Sequence, residues 1–297
     1  MIVKSVAPSS DIGVIAGTTA QHLVISVSGV ADIGVTLRIT RRSDAPRGLV
    51  TLGMGGTGAD FWTDESLEPG GIELAESLLA SGFVVVDRKW DPPGWFSYGA
   101  SPRKFSARSA VMFRWVKKAL GQNLWMGMIG NSGGAAEIGY LLTSWEAGGV
   151  LDLAVLCAGP PLSDLRVACK EPPADWWVAK VAQLVPPGML KCSPVDLTHP
   201  PNGVLCPVLP PAADDSSLLN GSVMWQNAAY SYSRTHAYFI IGELDCTVAT
   251  PQALLYHEAI TSPKTMVVAA QTPHLISTTE SGRLEIMKAV NTYCPLG

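Results

Sequence analysis

Charge is scarce in this chain. Only 15% of its 297 residues are Asp, Glu, Lys or Arg, and the formal net charge is −4. Lys and Arg are scattered, so the basic stripe that a nucleic-acid partner requires is missing. Long apolar runs are missing too, none approaching the roughly 20 residues that span a bilayer as a helix. Residues Met1 to Gly17 hold one Lys and only short apolar stretches, which is not a signal-peptide pattern. There is no Cys-x-x-Cys pair and no His/Cys group at zinc-ligand spacing, so no metal centre is expected. Internal repeats and low-complexity tracts are also lacking. What is plentiful is apolar side chain, 47% of residues, which suits a large core in one compact domain.

Six cysteines, Cys157, Cys169, Cys192, Cys206, Cys246 and Cys294, make an even set that permits disulfides. Cys169, Cys192 and Cys206 fall in a proline-rich stretch where a covalent staple would help most. With the sequon Asn220-Gly221-Ser222, this favours a secreted protein. The rival reading takes several of the thiols as small buried hydrophobes and leaves a cytosolic location open.

After an N-terminal region that reads as irregular or antiparallel, short apolar runs alternate with helical stretches. Strands are expected at Gly48–Leu52, Phe83–Asp87, Leu124–Ile129, Leu151–Cys157, Tyr238–Ile241 and Thr265–Ala269. Helices are expected near 70–81, 104–120, 133–144, 251–261 and 279–291. Met112, Val116 and Leu120 recur at helical spacing on one face of the second of these. Continuously apolar strands alternating with helices predict an α/β fold: a mostly parallel central sheet with helices on both faces. From about 160 to 233 the alternation breaks into prolines and paired tryptophans, which reads as a cap-like insertion in a single domain spanning 1–297.

Gly130-Asn131-Ser132-Gly133-Gly134 satisfies Gly-x-Ser-x-Gly. Such a match is weak alone, but here it directly follows a strand and opens a helix, the context a nucleophile elbow needs. A serine hydroxyl must lose its proton to a base before it attacks. Of the five histidines, His22 precedes the N-terminal strands, His199 lies in the insertion, His236 opens a strand and His257 is inside a helix. Only His274 follows the carboxyl end of a late strand, where ligands bind a parallel sheet. The acid that would orient it is expected at Asp245, just past Tyr238–Ile241, with Glu243 and Asp164 as alternatives. A tetrahedral oxyanion needs preorganised donors. Gly133 N–H is one, and Met54 or Gly55 in the loop Gly53-Met54-Gly55-Gly56-Thr57-Gly58 is the other. That glycine loop lacks the Lys-Ser/Thr ending of a phosphate-binding loop.

On these residues the sequence resembles the α/β-hydrolase superfamily from about Gly48 to the C-terminus. Gly130 to Tyr140, followed by Cys157-Ala158-Gly159-Pro160-Pro161, is similar to a group of secreted microbial hydrolases. The glycine loop departs from the His-Gly-Gly-Gly form of many lipases and esterases. The resemblance implies acyl transfer to water through an acyl-enzyme, with no metal or organic cofactor. Phe61, Trp62, Trp95, Trp176 and Trp177 are candidates for contacting an apolar group of a small-molecule or polymeric ester, or else for packing beneath the cap. Rival functions are a peptidase, amidase, thioesterase or acyltransferase on the same three residues, and a non-catalytic binding protein.

Overall fold

The computed structural model describes residues 1–64, 69–96, 101–169, 215–245 and 247–295. Its centre is a nine-stranded sheet ordered β1-β2-β3-β5-β4-β6-β7-β8-β9. The strands are β1 (Ile2–Ser9), β2 (Thr18–Ser26), β3 (Ile33–Thr40), β4 (Gly48–Gly53), β5 (Phe83–Trp90), β6 (Trp125–Asn131), β7 (Leu153–Cys157), β8 (His236–Gly242) and β9 (Lys264–Ala269). From β5 to β9 every pairing is parallel, while β1, β2 and β3 add on antiparallel to one another and to β5.

Alternation along the parallel strands divides the core in two. Leu49, Val84, Val86, Met126, Met128, Leu156 and Phe239 face one way, into α3 (Ala107–Leu120), α4 (Gly133–Ser144) and α7 (Ala249–Ala259). Val50, Leu52, Val85, Ile129, Val155 and Ile240 face the other, into α1 (Gly71–Ala80) and α8 (Glu280–Tyr293). Both faces are buried, which is why these strands read as unbroken apolar runs. The expected elements are found, several of them longer than expected. The helix expected over 104–120 is split into α2 (Pro102–Phe105) and α3.

The N-terminal region is regular rather than irregular. In β2, Leu23 and Ile25 are fully buried while polar neighbours are more exposed. All eight residues of β3 are buried, including Arg38, whose guanidinium meets Asp11 at 2.6 Å and Asp64 at 2.7 Å. His22 does not precede the strands but lies within β2, its Nε2 3.1 Å from Asp91 Oδ2.

Of the segment expected as a cap, the described parts are 160–169, with α5 (Leu165–Cys169), and 215–233, with α6 (Asp215–Gly221). They are stitched together by Val223 N–H to Leu162 O and Met224 N–H to Ser163 O, both 2.9 Å. Residues 170–214 lie outside the described residues, among them His199, Trp176, Trp177, Cys192 and Cys206; Cys246 and the side chain of Cys169 do too. No disulfide is found among the described residues; Cys157 is buried at the end of β7 and Cys294 at the end of α8. No described helix is long and apolar enough to cross a membrane.

Candidate active site

The parallel strands all end on one edge of the sheet, and their loops gather there. β6 ends at Asn131, and α4 begins at Gly133. Ser132 between them has φ 50° and ψ −110°, a conformation that L side chains rarely adopt. It is held there by bonds on both sides: its N–H donates to Cys157 O at 2.8 Å, and its carbonyl accepts from Ala136 N–H at 3.0 Å. A strained, half-buried serine heading a helix is the geometry that Gly-x-Ser-x-Gly predicts. The flanking glycines are sterically required. A Cβ on Gly133 would lie 1.9 Å from Gly56 O, and one on Gly134 would lie 2.1 Å from Gly53 O. The glycine loop and the start of α4 therefore touch backbone to backbone.

His274, in the loop after β9, is half-buried. Its Nδ1 lies 3.1 Å from both carboxylate oxygens of Asp245, which is fully buried in the loop after β8. Thr247 organises this pair. Its N–H and Oγ1 both bond to Asp245 Oδ1, at 3.1 and 2.8 Å, and the same Oγ1 is 3.2 Å from His274 Nδ1. Backbone bonds join the two loops, Glu243 N–H to Ala269 O and Leu244 N–H to Thr272 O, each 2.9 Å. The two alternative acids are engaged elsewhere. Glu243 Oε2 accepts from Gln271 N–H and Nε2 at 2.7 Å each, and Asp164 holds Arg166 at 2.7 Å. The base loop is also tied to the elbow, because Ile276 N–H donates to Asn131 Oδ1 at 3.2 Å.

A Cβ built on Gly55 would be 3.5 Å from Ser132 Cβ, so the loop after β4 runs directly beside the serine. The N–H of Gly133 belongs to the first turn of α4, which has no intrahelical acceptor, and the helix N-terminus favours negative charge there.

Solved structures superpose on nearly the whole chain, among them the following three. A thermostable carboxyl esterase from Bacillus coagulans matches with a TM-score of 0.57 at 14% identity, covering 93% of this chain and 99% of its own. A dienelactone hydrolase from Anabaena variabilis matches with a TM-score of 0.52 at 13% identity, over 94% of this chain and 100% of its own. An α/β serine hydrolase without lid from Xanthomonas campestris matches with a TM-score of 0.50 at 14% identity, over 96% and 98%. This chain has the α/β-hydrolase fold. Its sequence matches no protein-family model, and no curated protein at a significant level.

Within the α/β-hydrolase fold, the aromatic candidates have other duties. Phe61, Trp62 and Trp95 have no exposed surface. Phe61 lies under the Arg38 guanidinium at 3.6 Å, and Trp62 Nε1 donates to Ser277 Oγ at 3.1 Å. Trp95 packs on Phe96 and Tyr140, with ring centroids 4.6 and 6.0 Å away. They pack the core and leave no face for a ligand, while Trp176 and Trp177 fall outside the described residues. The remaining described histidines sit apart from this cluster. His236 stacks on Tyr293 at 3.8 Å, and His257 packs edge-on to Phe239 at 5.2 Å. The sequence reading missed Thr247 and Asn131. The first stands two residues after Asp245, a spacing at which a hydroxyl can return to a carboxylate; the second occupies the variable position of the serine motif.

Proposed function

We propose that this protein is a serine hydrolase that cleaves a carboxylic ester through an acyl-enzyme. The observation that carries the reading is the Asp245 carboxylate on His274 Nδ1, in a loop bonded through Asn131 to the elbow that strains Ser132. With Nδ1–H directed at Asp245, Nε2 is left as the nitrogen that takes the Ser132 proton. Ser132 Oγ attacks the acyl carbon, and the carbonyl electrons move onto oxygen. The N–H of Gly133, with that of Met54 or Gly55, stabilises this oxyanion. Collapse expels the alcohol, which receives the proton from His274. Water then repeats the sequence on the acyl-enzyme, releasing the acid and restoring Ser132. Burial of Asp245 keeps its charge directed at the imidazole, which becomes positive at each step. The esterase and hydrolase names of the structural neighbours support the same bond class.

The test is intact-mass analysis after exposure to a fluorophosphonate, beside Ser132→Ala, with p-nitrophenyl esters and matched anilides assayed in parallel. One adduct lost in the variant, with ester turnover lost too, is expected. Faster anilide turnover would move the assignment to an amidase. Folded protein with neither adduct nor turnover would overturn the hydrolase reading in favour of a binding protein.

A further inference from the structure

Beneath the glycine loop lies a charge pair that the reaction above does not use. Arg88, on β5, and Glu137, on the second turn of α4, form an ion pair with side chains only 2% and 1% exposed. Among the described residues, Arg88 Nε and Nη1 and Glu137 Oε1 are buried without another hydrogen-bond partner. A desolvated pair of this kind is a poor way to gain stability, since apolar side chains of similar volume often do as well or better. Its position suggests a different use. A Cβ on Gly53 would lie 1.9 Å from Arg88 Nη1 and 2.1 Å from Nη2, so the guanidinium rests on the backbone where β4 becomes the glycine loop. The carbonyl of that same Gly53 packs on Gly134, at the start of the helix that carries Glu137.

The contacts form a closed ring: Glu137 to Arg88, Arg88 to Gly53, Gly53 to Gly134, and Gly134 along α4 back to Glu137. The two sides of the ring are the two sources of the oxyanion donors, the loop after β4 and the first turn of α4. We propose that Arg88 and Glu137 are positioning residues that clamp the glycine loop against the nucleophile helix and so fix the spacing of those donors. This rests on the serine-hydrolase reading. A donor displaced by about 1 Å can cost on the order of 100-fold in rate without touching substrate affinity, so the signature is a loss in kcat rather than in KM.

The experiment compares wild type with Glu137→Gln, Arg88→Lys and the double variant Arg88→Met with Glu137→Leu, which replaces the pair by apolar groups. Competent sites are counted by fluorophosphonate titration, and kcat is expressed per titrated site. In the double variant the melting temperature is expected to hold, with KM within about 3-fold of wild type and kcat per site lower by about 10- to 100-fold. Arg88→Lys, which keeps the charge but not the planar contact on Gly53, is expected to restore only part of the rate. Double-variant protein that folds and turns over within about 2-fold of wild type per site would overturn the clamp. So would failure of every variant to fold, which would assign the pair to the fold alone. Failure of the underlying reading is distinct, because it would show as wild-type protein that takes no label at Ser132.

Discussion

Asp245 has no exposed surface and, among the described residues, accepts from three donors: His274 Nδ1, Thr247 N–H and Thr247 Oγ1. A buried carboxylate serves two ends here, since it fixes the imidazole tautomer and answers the positive charge that forms on it. Asp245→Asn keeps the shape but presents an amide, so kcat is expected to fall by about 10⁴-fold in steady-state ester hydrolysis. Thr247 makes a finer prediction. Removing its hydroxyl in Thr247→Val takes one donor from Asp245 Oδ1 and leaves that oxygen more negative toward His274. The imidazolium is then better stabilised, so the acid limb of the kcat/KM profile is expected to move to higher pH, with Thr247→Ser restoring it. An unmoved limb would confine Thr247 to holding the loop.

The base loop and the elbow come from strands β9 and β6, which are not neighbours in the sheet. The Asn131–Ile276 bond is a direct tie between them, made by a fully buried side chain. Asn131→Leu keeps the volume and removes the acceptor, leaving Ile276 N–H unsatisfied. Turnover is expected to drop by about 10-fold or more with KM little changed, while Asn131→Asp, which retains an acceptor, should keep the loop in place. Equal kinetics for Asn131→Leu and wild type would show that the loops are aligned by packing alone. Such ties explain which elements were legible in the sequence. The parallel strands were, because burial on both faces leaves unbroken apolar runs. Ser132, His274 and Asp245 were legible as candidates, because each follows such a strand at its carboxyl end. Strand β3 was not, because Thr36, Arg38 and Thr40 interrupt its pattern. Its burial depends on Asp11 and Asp64, partners distant in sequence. Phe61, Trp62 and Trp95 were legible as large aromatic groups near the site, but whether they face a ligand or the core depends on Arg38, Ser277 and Tyr140, which no local pattern announces.

Across the whole molecule, acid should act on stability and activity through different histidines. His257, on α7, is pushed down from an ordinary value of 6.5 to about 4, first by burial and then by the Lys264 ammonium. His236, at the start of β8, is lowered by burial as well. A histidine with a depressed folded-state pKa takes up its proton first in the unfolded chain. Its contribution is therefore present above pH 6.5 and is lost as the pH falls toward about 4. The melting temperature is expected to decline across that window, and His257→Gln should flatten the decline whatever it does to the plateau. Turnover, by contrast, requires a neutral His274 and should fall as that imidazole takes up a proton, in protein that is still folded. The two curves should therefore be separable: His257→Gln changes the slope of melting temperature against pH and leaves the rate profile where it was. If the substitution shifted the rate profile as well, protonation at α7 would be reaching the site through β8 and the acid loop that follows it. Stability and catalysis would then share one proton-linked transition.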